Sequence, residues 1–193
     1  PLIASLGYSV GFLMAVLSRQ QLFTESTITA VLTLAANFTL VNLMRVARMW
    51  AIVLAANLVG TLVAAMLCSW TPALAPKVLH AMVEVSHRLL ELSWSDMFFR
   101  GITSGFLIAA MVWLMPGAEG AQFHIITLIT YLIALGGFTH IIAGSVETFI
   151  LLMNGNAGIG WALFDFAVPT FLGNIIGGTA LFAVIAYAQG MKE

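Results

Sequence analysis

The residues able to do chemistry in this chain are few, and His140 is the sharpest of them. It sits in "GGFTHIIAG" at 136–144, inside an otherwise apolar run and away from any loop. An imidazole in a low-dielectric setting has its charged form disfavoured, so it rests neutral. An approaching anion favours protonation, and the ring can then hydrogen-bond the anion or pass it a proton. A weak acid crosses an apolar constriction far more easily neutral than charged, because an isolated buried charge is very costly. The plainer reading is a buried histidine whose nitrogens are satisfied by nearby backbone in a helix break. Ionisable groups inside membranes are usually functional, which favours the first reading.

Thr24, in "LFTEST" at 22–27, divides in the same way. A threonine can bond back onto its own helix and cap a break, or it can touch a solute. The two roles are compatible, because a half-helix N-terminus carries partial positive charge that favours anions and would also suit Glu25. Arg19 either snorkels to an interface or attracts anions at a mouth. Leu22 and Phe23 taken alone are an apolar pair, as fit for packing as for gating. Glu147 and Asp165 are expected near a membrane surface. His80, His87 and His124 suit loops or interfaces, and no metal-ligand spacing links them. Cys68 is alone, so no disulfide framework or thiolate site arises. No Ser-His-Asp set, paired carboxylate or cofactor motif is present, which argues against an enzyme.

The elements that must position these residues follow from composition. Of 193 residues, 61% are hydrophobic and 8% charged, with mean hydropathy +1.04; a soluble domain carries roughly 25% charged residues. The chain is an integral, all-α membrane protein whose first partner is the lipid bilayer. Seven Lys plus Arg against eight Asp plus Glu leave no basic surface for nucleic acid. A helix needs about 20 residues to cross a bilayer, and five blocks approach that: 2–36, 48–70, 97–115, 123–153 and 165–189. Trp50 and Trp70 mark the ends of the second, where interfacial aromatics belong. The polar stretch 71–96 reads as a loop with a short surface helix. The chain lacks an initiator Met, so an N-terminal segment is expected to be missing. Arg45, Arg48 and Lys192 fall on one side, Lys77, Arg88 and Arg100 on the other, so charge does not set the orientation.

The first and fourth blocks are longer than a straight span and are interrupted at "SRQQLFTEST" and "GGFTHIIAGS". Irregular backbone at membrane depth survives only where protein buries it or where it lines a cavity, and paired interruptions point to a transport site. Both breaks contain Phe-Thr, at Phe23-Thr24 and Phe138-Thr139. Each is followed 33 to 35 residues later by Asn-x-x-Gly, at Asn57 and Gly60 and at Asn174 and Gly177. Order and spacing together indicate a duplication, with residues 1–70 as one half, 71–96 as the loop and 97–190 as the other half of a single channel domain. Asn57, Gly60, Asn174 and Gly177 are read as structural, serving close helix approach and freed backbone groups.

The stretches "LFTEST" at 22–27, "AANLVG" at 55–60, "FFRG" at 98–101, "GFTHIIAG" at 137–144 and "GNIIGG" at 173–178 carry a resemblance to the formate/nitrite transporter family of bacterial inner-membrane channels. They stand in family order and cover nearly the whole chain. The resemblance implies a homopentamer of aquaporin-like protomers, each an inverted repeat of six helices with its own pore. It also implies broken second and fifth helices and a start here at the second helix. It carries the constriction loop onto Leu22, Phe23 and Thr24 and the central histidine onto His140. The fifth-helix constriction Phe falls at Ile133 and the vestibule Lys beside Arg88, with Arg19 and Arg100 as further vestibule candidates.

Departures accompany the match. Gln21 replaces an acidic residue before Leu-Phe-Thr, and Thr139 replaces the acidic neighbour of the histidine. Gly105 and Gly144 replace two asparagines. Without the acidic neighbour, one charge that would favour the imidazolium of His140 is gone. The reading is a multi-pass inner-membrane channel or transporter for small monovalent anions or their conjugate weak acids. A transport-inactive scaffold of the same fold and a channel for a small neutral solute stay open as alternatives.

Overall fold

In a computed structural model, which describes residues 2–181, the chain is built from helices, with no strand among the described residues. Lipid offers no hydrogen-bond partners, so an apolar chain must close its backbone bonds within helices. In order these are α1 (Leu2–Leu17), α2 (Phe23–Ala36), α3 (Leu40–Trp70), α4 (Pro76–Ser86), α5 (Trp94–Leu114), α6 (Gln122–Leu135), α7 (Ile141–Met153) and α8 (Val168–Ile175). π-Helical stretches Trp161–Ala167 and Ile176–Leu181 flank α8. Three continuous helices, Leu40–Trp70, Trp94–Gly117 and Trp161–Ala180, are long and apolar enough to cross a membrane. The continuation past residue 181, including Lys192 and the end of the fifth block, lies outside the described residues.

The first and fourth blocks do break. α1 and α2, of 16 and 14 residues, flank residues 18–22, and α6 and α7, of 14 and 13, flank residues 136–140. At 1.5 Å per residue, none of these halves alone spans a core of about 30 Å. The stretch 71–96 is a surface segment, with Pro76 opening α4 at the position where a missing N–H costs nothing. Ser93 then starts α5 through a capping box with Asp96.

The second block differs from expectation at its start. α3 begins at Leu40, where the Thr39 hydroxyl accepts the Asn42 N–H (3.1 Å). Trp50 therefore lies inside a longer helix and does not mark its end. Its indole N–H donates to Ser26 O (3.3 Å), and its ring meets Phe23 edge-on. Trp70 does sit at the helix end, exposed.

In lipid there is little hydrophobic gain from pairing helices, so close backbone approach holds them together. α5 and α8 show this best. Gly101 and Gly105 on α5 face Gly173 and Gly177 at a crossing where a Cβ would strike the partner backbone. At Gly105 it would meet Asn174 O, at Gly173 Phe98 O, and at Gly177 Ile102 O. Gly60, the counterpart of Gly177, has open space around it. α1 packs against α6 and α3 against α7, which brings the two breaks together.

Candidate functional site

Both breaks are made by one backbone device. Gln20 N–H reaches Ala15 O (2.9 Å) and Arg19 N–H reaches Val16 O (3.0 Å). In the second break Phe138 N–H reaches Ile133 O (3.0 Å) and Gly137 N–H reaches Ala134 O (3.2 Å). This is a Schellman ending, which needs a left-handed residue just past the helix. Arg19 (φ 57°) and Gly137 (φ 61°) fill that position. The next half-helix opens with Ser26 N–H on Leu22 O (3.1 Å) and with Gly144 N–H on His140 O (2.8 Å).

Between ending and opening, an asparagine ties down the exposed backbone. Asn57 donates to Gln21 O (3.0 Å) and accepts the Phe23 N–H (2.9 Å). Asn174 donates to Thr139 O (3.1 Å) and to Gly101 O (2.9 Å), and accepts the Ile141 N–H (2.8 Å). The asparagines of the Asn-x-x-Gly pairing therefore have a structural basis, whereas of its two glycines only Gly177 makes the expected close helix approach among the described residues. The Phe-Thr pairing has no such basis. By hydrogen bonding Phe23 corresponds to Ile141, and Leu22 to His140, while Phe138-Thr139 sits inside its break and Phe23-Thr24 opens its helix. Phe-Thr marks the two breaks by coincidence, because the repeat is kept in the backbone bonds and in the asparagine that ties them, not in the residues of the breaks themselves.

His140 is the N-cap of α7. Its Nδ1 accepts the Ala143 N–H (3.2 Å), so this nitrogen carries no hydrogen. Nε2 therefore bears the proton and donates to the Thr24 hydroxyl (2.8 Å). Phe12 presents a ring edge-on to the imidazole at 5.3 Å between centroids. His140 and Thr24 are both buried. The contact joins the N-terminal turns of α2 and α7, where two helix dipoles leave partial positive charge. The plain reading of His140 is thus half present: one nitrogen serves backbone, and the other faces a side chain from the opposite break.

Two cavities meet at this point. One, of about 200 Å³, is bordered by Arg88, Arg100, Ile133, Phe138, Thr139 and His140 among others. The second, of about 480 Å³, is bordered by Gly7, Gly11, Phe12, Leu22, Thr61 and His140 among others. Tyr8, His140, Ala143 and Glu147 border both. The structure thus brings Leu22, Thr24, Ile133, Thr139, Arg88 and Arg100 around His140. Thr139 turns its hydroxyl away, donating to Met97 O (2.7 Å). Arg100 reaches Gly137 O (3.4 Å).

Two predicted residues are not brought there. Phe23 is fully buried, stacked on Phe171 and packed against Trp50, and borders neither cavity. Arg19 is exposed and shapes the first break through its backbone. Glu147, expected near a membrane surface, lies two turns into α7 and pairs with Arg88 at 3.2 Å. Tyr8, Phe12 and Glu147 escaped the sequence reading as site residues. The signals available were the i, i+4 spacing of Tyr8 and Phe12 and the two-turn step from His140 to Glu147.

The two glycine departures have steric reasons. Any side chain at Gly105 would run into the Asn174 backbone, and one at Gly144 into the Phe166 ring, 2.7 Å from a built Cβ. An asparagine therefore does not fit at Gly105, whereas at Gly144 it would require the Phe166 ring to move aside.

Comparison with known proteins agrees with this architecture. The sequence pattern described as formate/nitrite transporter matches residues 1–188. The inner membrane protein YfdC of Escherichia coli is 42% identical over 188 residues, 97% of this chain and 61% of its own length. Formate-nitrite transporter 3 of Toxoplasma gondii is 28% identical over 95% of this chain and 37% of its own length. The chain thus spans less than two thirds of the length of each of these relatives. A solved structure of a pentameric formate channel with formate bound superposes with a TM-score of 0.81 at 18% identity, covering 100% of this chain and 83% of that one. That likeness shows the fold, an all-helical aquaporin-like inverted repeat. On the match across nearly its whole length, this multi-pass membrane protein belongs to the formate/nitrite transporter family.

Proposed function

We propose that this protein is a bacterial inner-membrane channel or transporter for small monovalent anions or their conjugate weak acids. It works as a homopentamer, with one route through each protomer past Thr24 and His140. The observation that carries this reading is His140, which borders both cavities and meets Thr24 at 2.8 Å where two half-helices start. The Nε2–H of a neutral imidazole is a donor that a solute oxygen can take over from Thr24. Charge developing on that oxygen is favoured by the two helix N-termini. Ile133 and Leu22 narrow the apolar surroundings, so a bare charge crosses poorly and a neutral acid crosses well. Arg88 and Arg100 border the smaller cavity together with Glu91 and Glu147, so charges of both signs face a solute there. The likeness to a formate channel and to a named formate-nitrite transporter supports this solute class.

The test is flux into liposomes bearing the purified protein, with formate, nitrite, hydrosulfide, acetate, chloride and one neutral solute across a pH series. His140→Ala is measured beside the wild type. The reading expects weak-acid flux above that of empty liposomes, reduced at least about tenfold by the substitution. Absence of any flux above empty liposomes would refute transport and leave a membrane scaffold. Passage of the neutral solute alone would make it a neutral-solute channel.

A further inference from the structure

Among the described residues, Glu147 is the one acid that borders both cavities, and only one of its oxygens is used. Oε1 receives Arg88 Nη2 at 3.2 Å, whereas Oε2 is buried with no hydrogen-bond partner. Across from it on α1, the Tyr8 hydroxyl is likewise buried and unpartnered, within electrostatic reach of Glu147 and Arg88. A buried polar atom without a partner is costly, and each such atom in a folded protein asks for an explanation. Here the two border the same two cavities, along the face of α7 that begins at His140 and about 10 Å from it by helix rise.

Resting on the transport reading above, we propose that Tyr8 and Glu147, braced by Arg88, form a second polar station that admits the undissociated acid and rejects the free anion. An ionised carboxylate only accepts hydrogen bonds, while a phenol can donate one. A protonated monocarboxylic acid matches both: its O–H donates to Glu147 Oε2 and its carbonyl accepts from the Tyr8 hydroxyl. An anion has no hydrogen to offer and meets the Glu147 charge. Arg88 holds that carboxylate in place through Nη2 on Oε1 and leaves Oε2 free. The other titratable or charged groups at these cavities are Glu91 and Arg100 toward the surface segment and His140 at the helix start. The solute enters carrying its own proton, so no proton need come from His140.

The experiment uses the full protein in liposomes, with formate as the weak-acid probe and nitrate as an anion that has no neutral form near neutral pH. Wild type should carry formate with a rate falling about tenfold per pH unit, following the undissociated acid, and should exclude nitrate. Glu147→Gln removes the charge, adds an amide donor and frees Arg88. It should admit nitrate at least about tenfold above wild type and flatten the formate profile. Tyr8→Phe keeps the ring packed on Phe12 (5.0 Å) but loses the hydroxyl, and should slow formate about fivefold while still excluding nitrate. Nitrate exclusion and an unchanged pH slope in assembled Glu147→Gln would overturn the proposal. So would wild-type nitrate flux, or Tyr8→Phe flux equal to wild type, which decides the matter if Glu147→Gln does not assemble. A wild type that moves neither probe fails the transport reading itself, a separate and recognisable result.

Discussion

At residues 18–22 and 136–140 the chain ends one half-helix and starts another through the same set of backbone bonds, but the two breaks hold their strain differently. The first puts Arg19 in the left-handed position and Leu22 at the cap with no side-chain bond, and Asn57 holds its backbone from a partly exposed site. The second uses Gly137, caps with His140 and is held by an Asn174 that is wholly buried and makes three bonds. The lesson is that a duplicated backbone frees side chains to diverge. The second break is the more buried one, and its cap is the candidate solute-binding group. The first supplies the facing hydroxyl, Thr24.

That asymmetry can be broken at several points. The largest effect is expected at Asn174→Ala, which orphans the Ile141 N–H and the carbonyls of Thr139 and Gly101 in a dry site. It should cost about 3–5 kcal/mol in reversible unfolding in detergent. Asn57→Ala, at the more exposed break, should cost about 1–2 kcal/mol. Equal losses would erase the distinction drawn between the breaks.

The capping difference is smaller. His140→Ala should lose about 1 kcal/mol of stability beside its effect on flux, whereas His140→Asn, still able to accept the Ala143 N–H, should stay within a few tenths. If both lose flux while only one loses stability, the capping and solute roles of His140 are separated.

Opposite signs are expected at the left-handed positions. Arg19→Gly relieves a non-glycine φ of 57° and should gain up to about 1 kcal/mol, while Gly137→Ala should lose about 1 kcal/mol. Melting temperatures that move the same way would contradict the shared device. The smallest effect belongs to Gly60→Ala, near zero because nothing lies within 4 Å, against a severe loss for Gly177→Ala at the α5 crossing. A comparable loss at Gly60 would reveal that another helix, from a longer chain or a neighbouring protomer, covers that face.

Much of the fold was legible without coordinates. Apolar runs of membrane length, the polar stretch 71–96 and two interruptions are consequences of solvent: lipid forbids unpaired backbone, so composition nearly dictates where helices run and stop. Asn57 and Asn174 were readable for the same reason, because freed carbonyls and amides need partners. The start of α3 was misjudged because Arg45 and Arg48 look like loop residues, yet a capped helix carries them as part of one 31-residue element. Phe23 was drawn to the site by its neighbours in the sequence, but one step along a helix turns a side chain by about 100°, so Thr24 meets His140 while Phe23 packs on Phe171 and Trp50.

What the sequence determined by itself is the class of molecule, its multi-pass membrane character and its two breaks, and it singled out His140 as a candidate, since each follows from local polarity set against an apolar background. Only the tertiary structure decided the register of the repeat, the tautomer of His140 and its Thr24 partner, and the reason for glycine at Gly105 and Gly144. It also paired Glu147, half-buried on α7, with Arg88 and set it on the same cavities as Tyr8. These depend on which side chains meet across residues far apart in the chain. Such meetings are fixed by helix crossings a few ångströms wide, and no pattern along one strand of sequence records them.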